Sequence, residues 1–240
     1  MIRYKPSSGI LSLGDFLIQV QLTIQDAGSV VTNKNIEYLN VPAAFDIETT
    51  SFYQNDDKSP ENKRGIMYIW QFGIGNVVTM GRTWDEFKNF LTILENLLYL
   101  DKNRRLVVYV HNLPYEWQFM RQHFTWDEVF ILDDRKPVTA RIDGIEFRCS
   151  MKLAGGKSLA NTAKDLMKYP VEKMVGDLDY SLIRTPLTPM TPTELKYCEN
   201  DIRVILHYIQ EKIEQDGDIT RIPLTNTGYV RNYCRKACFR

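Results

Sequence analysis

No stretch of this sequence approaches the roughly 20 consecutive apolar residues that a membrane-spanning helix needs. The opening Met1-Ile2-Arg3-Tyr4-Lys5 leads into no unbroken apolar segment either, because Ser12, Gly14 and Asp15 interrupt it. No secretory signal is read there, and an intracellular protein with no membrane partner is expected. Cys149, Cys198, Cys234 and Cys238 form no CxxC pair, which argues against zinc and for free, buried thiols in a reducing cytoplasm. Neither sign of charge is in excess. Thirty Lys and Arg balance thirty Asp and Glu, so global electrostatics neither demand nor exclude a nucleic-acid partner. Internal repeats and low-complexity tracts are absent as well.

What remains is ordinary for a soluble globular chain of 240 residues: 44% hydrophobic and 25% charged. That length suits one large domain with extensions, or two small ones. Two local groups of bases stand out: Lys152, Lys157, Lys164, Lys168 and Lys173, and the C-terminal Arg231, Arg235, Lys236 and Arg240. They could face a polyanion or be solvated helix surface.

Residues 1–40 show short apolar alternation at Phe16-Leu17-Ile18-Gln19-Val20, broken by Gly9, Gly14 and Gly28. This predicts a strand-rich N-terminal extension. Val41-Pro42-Ala43-Ala44-Phe45 is an apolar run ending at Asp46, which predicts a buried strand. Met67–Gly73 and Val77–Met80 predict two more strands, joined through Gly75-Asn76. Thr83 and Glu86 form a capping box ahead of a helix with Phe87, Phe90, Leu91, Leu94 and Leu98 on one face. Leu106–Val110 is a further buried strand, followed by a helix over residues 114–123. Asp143-Gly144 predicts a hairpin between Val138–Ile142 and Ile145–Cys149. Thr191-Pro192-Thr193-Glu194 opens a long final helix that ends at Gly217. This order implies an α/β fold, a ribonuclease-H-like mixed sheet flanked by helices.

Three short clusters carry the chemistry: Asp46-Ile47-Glu48, Asn112 through Glu116, and Tyr197 through Asp201. Asp46 and Glu48 are two apart on a strand and so share a face. Like charges side by side at the end of a buried strand repel unless cations neutralise them. Asn112 and Glu116 are four apart at a helix start and can look the same way, but an asparagine N-cap with a solvated first-turn acid explains them equally well. Tyr197 and Asp201 lie on one shoulder of the final helix, with Val204 and Tyr208. A metal is one candidate partner for that acid, and the phenol could orient an attacking water. Four convergent carboxylates can hold two divalent cations about 3.5–4 Å apart, as many nucleases do.

Asp46-Ile-Glu-Thr-Thr50, Tyr109-Val-His-Asn-Leu-Pro-Tyr-Glu116 and Tyr197-Cys-Glu-Asn-Asp201 resemble the three exonuclease motifs of family B DNA polymerases. The phage protein-primed branch is the nearest resemblance, with Gly176-Asp177-Leu178-Asp179-Tyr180 also similar to a segment of that branch. The resemblance covers residues 41–216 and implies a proofreading 3′→5′ exonuclease domain, with 217–240 as a connector. It implies that Asp46, Glu48, Glu116 and Asp201 hold two Mg²⁺ or Mn²⁺ ions and that Tyr197 positions the attacking water. Thr49, Tyr109, His111, Asn112, Tyr115, Phe119 and Tyr180 match positions that grip a single-stranded DNA 3′ end, in keeping with aromatics that stack on unpaired bases. Core packing is the competing reading for Tyr109 and Phe119.

Two positions depart from the pattern. Glu116 stands where the family has aspartate, and Val175 stands where the branch carries a lysine, with Lys173 two residues earlier as its candidate substitute. A histidine five residues before the last acid would mark the ribonuclease-type relatives; here that position is Lys196. No polymerase palm follows Ile222–Arg231, so DNA synthesis is not expected of this chain. An excised domain, a truncated product and one part of a split polymerase all fit. A palm-containing chain and a priming terminal protein are the partners implied, in the cytoplasm of an infected bacterium for a phage-encoded protein. A catalytically weak module that binds single-stranded DNA, and a free-standing RNA exonuclease, are the alternatives.

Overall fold

The structure, a computed structural model, describes residues 9–171, 179 and 182–238. In chain order the elements are α1 (Leu13–Ala27), β1 (Ser29–Val31), β2 (Glu37–Leu39), β3 (Ala43–Tyr53), β4 (Lys63–Ile74), β5 (Val77–Gly81), α2 (Trp84–Leu98), β6 (Arg104–Val110), α3 (Leu113–Met120), β7 (Glu128–Asp133), β8 (Lys136–Ile142), β9 (Ile145–Cys149), α4 (Ser150–Leu153), α5 (Leu159–Lys164), α6 (Pro192–Asp216) and α7 (Asn226–Cys238).

One sheet runs in the order β5-β4-β3-β6-β9-β8-β7, with β2 joined to β6 and β1 to β2. The inner pairs β3–β6 and β6–β9 are parallel, and the outer hairpins are antiparallel. This is the α/β, ribonuclease-H-like layout expected from the sequence. Central β6 is buried on both faces, which accounts for its continuous Leu-Val-Val-Tyr-Val run.

Alternation along β3 decides where the acids go. Ala43, Phe45 and Ile47 join the core under α2, with Phe72, Phe87 and Phe90. Ala44 joins the opposite core, under Ile202, Ile205, Leu206 and Ile209 of α6. Asp46 and Glu48 share Ala44's parity, and therefore face α6. Phe45 stacks on Phe87 with ring centres 4.5 Å apart, fixing the strand from beneath. Gly73 lets α6 lie close: a Cβ there would stand 2.7 Å from both Ile202 Cγ2 and Leu206 Cδ1.

The N-terminal segment corrects the sequence expectation. Residues 13–27 are helical, and among the described residues up to 40 only β1 and β2 are strands. Ser12 caps the helix by accepting from the Asp15 amide, and Phe16, Val20 and Ile24 are buried at a spacing of four. Five alternating residues mimicked a strand, but the longer helical period of the whole segment wins. The expected hairpins, both capping boxes and the long final helix are present. Helix α7 has no buried residue and was not foreseen. Cys149 and Cys198 are buried free thiols, whereas Cys234 and Cys238 are exposed on α7, against the expectation for those two. No helix among the described residues is long and apolar enough to cross a membrane.

Candidate active site

Parallel pairing of β3 with β6 sets Phe45 beside Val110, so Asp46 emerges next to His111 and the turn into α3. Asn112 makes that turn in the left-handed region, at φ 73°. Its side chain caps nothing in the helix, which removes the simple N-cap reading and leaves it at the cleft. Glu116, one turn later, is 3% exposed rather than a solvated first-turn acid. From the opposite side, α6 brings Tyr197 and Asp201 over the strand ends.

Carboxylate oxygens of Asp46, Glu48 and Asp201 lie within 4.8 Å of one another. Glu116 stands outside that ring among the described residues, yet its Oε2 is buried with no hydrogen-bond partner. Burial, then repulsion from Glu116, Glu48 and Asp201, drives the Asp46 pKa well above the usual carboxylate range. Glu116 is pushed up in the same way, by burial and then, against a partial offset from its own backbone amide, by Glu48. A group of acids this crowded is costly when all are ionised. Hard oxygen donors suit Mg²⁺ or Mn²⁺, so the donor set and the orphaned Glu116 oxygen both fit divalent cations.

The acids sit in a cleft of about 830 Å³ that also collects Thr49, His111, Asn112, Tyr115, Phe119 and Tyr197. Tyr115 and Phe119 form its aromatic side, with ring centres 5.4 Å apart. The Tyr115 and Thr49 hydroxyls bond one another, and Gly65 admits the Phe119 ring, which a Cβ there would approach to 3.0 Å. His111 is braced on both nitrogens: Nδ1 is 3.1 Å from Ser150 Oγ, and Nε2 is 3.1 Å from the Lys157 carbonyl. A carbonyl only accepts, so Nε2 carries the proton.

Tyr109 lies elsewhere. It is 1% exposed in the core beneath α6, so the packing reading describes it and its ring cannot meet a base. Tyr180 and Lys173 fall outside the described residues. Of the basic groups noted in the sequence, Lys157 pairs with Asp165 at 2.5 Å and Lys168 with Glu214 at 2.7 Å, both around a second cleft beside α6. Among the described residues the cations that line the acidic cleft are Lys63 and Arg64, together with Ser51, Met151 and Leu159, none of which the sequence pattern singled out. The only signal for Lys63 and Arg64 was their position at the start of the strand following the first acidic motif.

No protein-family model matches the chain, and no curated protein matches it by sequence. Solved structures do resemble it. Phi29 DNA polymerase with primer-template DNA and incoming nucleotide aligns at TM-score 0.56 and 18% identity, over 73% of this chain and 31% of that one. Its binary complex with primer-template DNA gives 0.57 and 18%, over 78% and 32%. The complex with single-stranded DNA gives 0.54 and 20%, over 78% and 33%. This chain thus spans about a third of the length of those polymerases, and shares the fold of that portion.

Proposed function

We propose that this chain is a two-metal-ion 3′→5′ exonuclease acting on single-stranded DNA 3′ ends, the proofreading portion of a protein-primed family B DNA polymerase. The observation that carries the reading is the convergence of Asp46, Glu48 and Asp201, with Glu116 and Tyr197 beside them, in a cleft with an aromatic side. In this reading residues 41–216 form the nuclease, residues 1–40 an N-terminal addition whose α1 packs into the same core, and residues 217–240 the link toward a palm.

Asp46, Glu48 and Asp201 would hold the cations, with Glu116 as the fourth ligand. When bound, two cations supply charge stabilisation for the attacking and leaving oxygens of phosphodiester hydrolysis. The protein's own groups do the rest. Tyr115 and Phe119 stack on the terminal unpaired bases, which every base permits because each has a π face. Thr49 and Asn112 offer hydrogen bonds to sugar and phosphate. Tyr197 holds the attacking water through its hydroxyl. His111 fixes the segment from Ser150 to Lys157 against the mouth of α3, keeping that side of the cleft in place.

The test is a labelled oligonucleotide, single-stranded or blunt duplex, DNA or RNA, with Mg²⁺ or Mn²⁺ against a chelator. A metal-dependent 3′ ladder, faster on single-stranded DNA than on duplex or RNA, is expected. Binding without shortening would instead favour a catalytically weak DNA-binding module, a reading that draws on the position of Glu116 outside the carboxylate ring.

A further inference from the structure

Lys63 and Arg64 begin β4, at the outer end of a long β3–β4 arm that runs along one wall of the acidic cleft, just before the loop at its tip. Among the described residues they are the only Lys or Arg lining it, in the same cleft as four carboxylates. Among the described residues neither has an acidic partner, in contrast to Lys157 and Lys168, whose charges are already met. Arg64 is held in place: its Nη1 donates to the Glu61 carbonyl at 2.6 Å and to the Lys63 carbonyl at 3.2 Å. The arm's nearby acid Asp57 is turned into the tip, where it accepts from Ser59 and Asn62. Gly65, the next residue, packs against the Phe119 ring and ties the arm to α3.

Register gives the distance. Glu48 pairs with Ile69 and Phe52 with Arg64, so Arg64 lies four residues of β3 beyond the acids. At about 3.3 Å per residue this is roughly 13 Å. An extended polyanion whose end lies at the acids and that follows this wall passes this point, and a guanidinium held by carbonyls, with no other bond among the described residues, suits a phosphate oxygen.

We propose that Lys63 and Arg64 form a phosphodiester-binding subsite for the substrate strand, gripping linkages upstream of the one at the acidic end. The proposal rests on the nuclease reading for the direction of the strand, but not for its test. A labelled single-stranded oligonucleotide is titrated by fluorescence anisotropy in a chelator across a salt series. Neutralising both cations (Lys63→Gln with Arg64→Gln) is expected to weaken binding about tenfold or more and to flatten the log–log salt slope by about 0.7 for each lost contact. Lys58→Gln, at the exposed tip of the same arm and outside the cleft lining, should leave both unchanged. Lys63→Arg should retain most of the affinity. Oligonucleotides carrying one neutral methylphosphonate linkage, moved stepwise from the 3′ end, should bind the natural chain more weakly at one or two internal positions, with the double variant indifferent there.

An unchanged salt slope in the double variant, or an equal loss in Lys58→Gln, overturns the subsite. Were the double variant unfolded, as its melting would reveal, the linkage scan on the natural chain decides alone: no sensitive internal position overturns it. Charge-sensitive binding with no shortening in Mg²⁺ or Mn²⁺ would defeat the nuclease reading and leave the subsite standing. Metal-dependent cleavage by a double variant whose KM is unaltered would do the reverse.

Discussion

Asp46 on β3 and Gln71 on β4 are direct cross-strand partners, and the Gln71 side chain is 0% exposed. Among the described residues neither its amide nitrogen nor its oxygen has a nitrogen or oxygen partner; the Cys198 thiol, a weak one, lies against it. A buried amide left in this state costs about 1–3 kcal/mol. Gln71→Met keeps the volume and removes that penalty, so metal-free stability should rise by about that amount. Chemical denaturation in a chelator measures it, and a loss of stability would show that the amide is satisfied.

Replacing Asp46 and Glu48 together with alanine should abolish cleavage and leave the metal-free fold level or firmer, because it relieves repulsion within the carboxylate ring. Melting in a chelator and an oligonucleotide assay check the two halves separately. A marked fall in metal-free melting temperature would make the pair structural.

Without metal, stability should fall as pH rises. The folded-state pKa values of Asp46 and Glu116 lie well above the unfolded carboxylate values of about 4. The folded state therefore binds protons more tightly, and the stability this gives is complete below the unfolded values. It is lost as pH climbs from there through the raised folded values. Divalent cations compete with those protons, so the melting shift on adding Mg²⁺ or Mn²⁺ should grow with pH. Asp46→Asn should flatten the metal-free slope; a slope identical to that of the natural chain would refute the assignment.

Tyr197→Phe removes only a hydroxyl, and the group it is proposed to hold is the attacking water rather than the strand. Turnover should fall about a hundredfold, the lower end of what losing a positioned hydrogen-bonding group costs. KM should change little, since an interaction made mainly in the transition state is the one lost. Steady-state kinetics on a single-stranded oligonucleotide separate the two parameters.

Glu116 separates a working ligand from a bystander. As a fourth ligand, Glu116→Asp falls one methylene short and loses activity, and Glu116→Ala loses more, by several kcal/mol of barrier. Both should also bind Mn²⁺ more weakly, as read by calorimetry. Full turnover in Glu116→Ala would remove it from the chemistry and leave its buried oxygen unexplained.

Much of the fold was legible because local chemistry and tertiary placement agree. Thr83 and Thr191 cap the helices they were expected to cap, and Asp143-Gly144 turns the hairpin it signals. The acids of the three motifs follow from their spacing and do meet at one cleft, although β3 runs on past Asp46 to Tyr53 instead of ending there and Asp201 lies mid-way along α6. The misreadings came from short windows and from long-range pairing. Five residues of α1 alternate like a strand, and only the buried series Phe16, Val20, Ile24 reveals the helix. Tyr109 sits within a motif resembling a DNA-gripping one, but its parity on β6, opposite Ala44, sends the ring under α6. Lys63 and Arg64 join the cleft only through the register of the β3–β4 arm, which nothing local to residues 54–62 specifies.

If the acids hold two cations as proposed, Gly73 would make ion selectivity a matter of layer spacing. The missing Cβ sets how deeply Ile202 settles onto the sheet, and Asp201 is its neighbour on the same helix. A methyl group at this position must displace Ile202 or Leu206; passed on to the helix, that shift would lift α6, and with it one side of the oxygen ring, while Asp46 and Glu48 stay with their strand. Mg²⁺ is held at 2.0–2.1 Å and Ca²⁺ at 2.3–2.6 Å, so a change of a few tenths of an ångström is the scale on which the two are told apart. Gly73→Ala should therefore tilt the ratio of Mg²⁺ to Ca²⁺ affinity toward the larger ion, and an unaltered ratio would place control of cation size in the carboxylates alone.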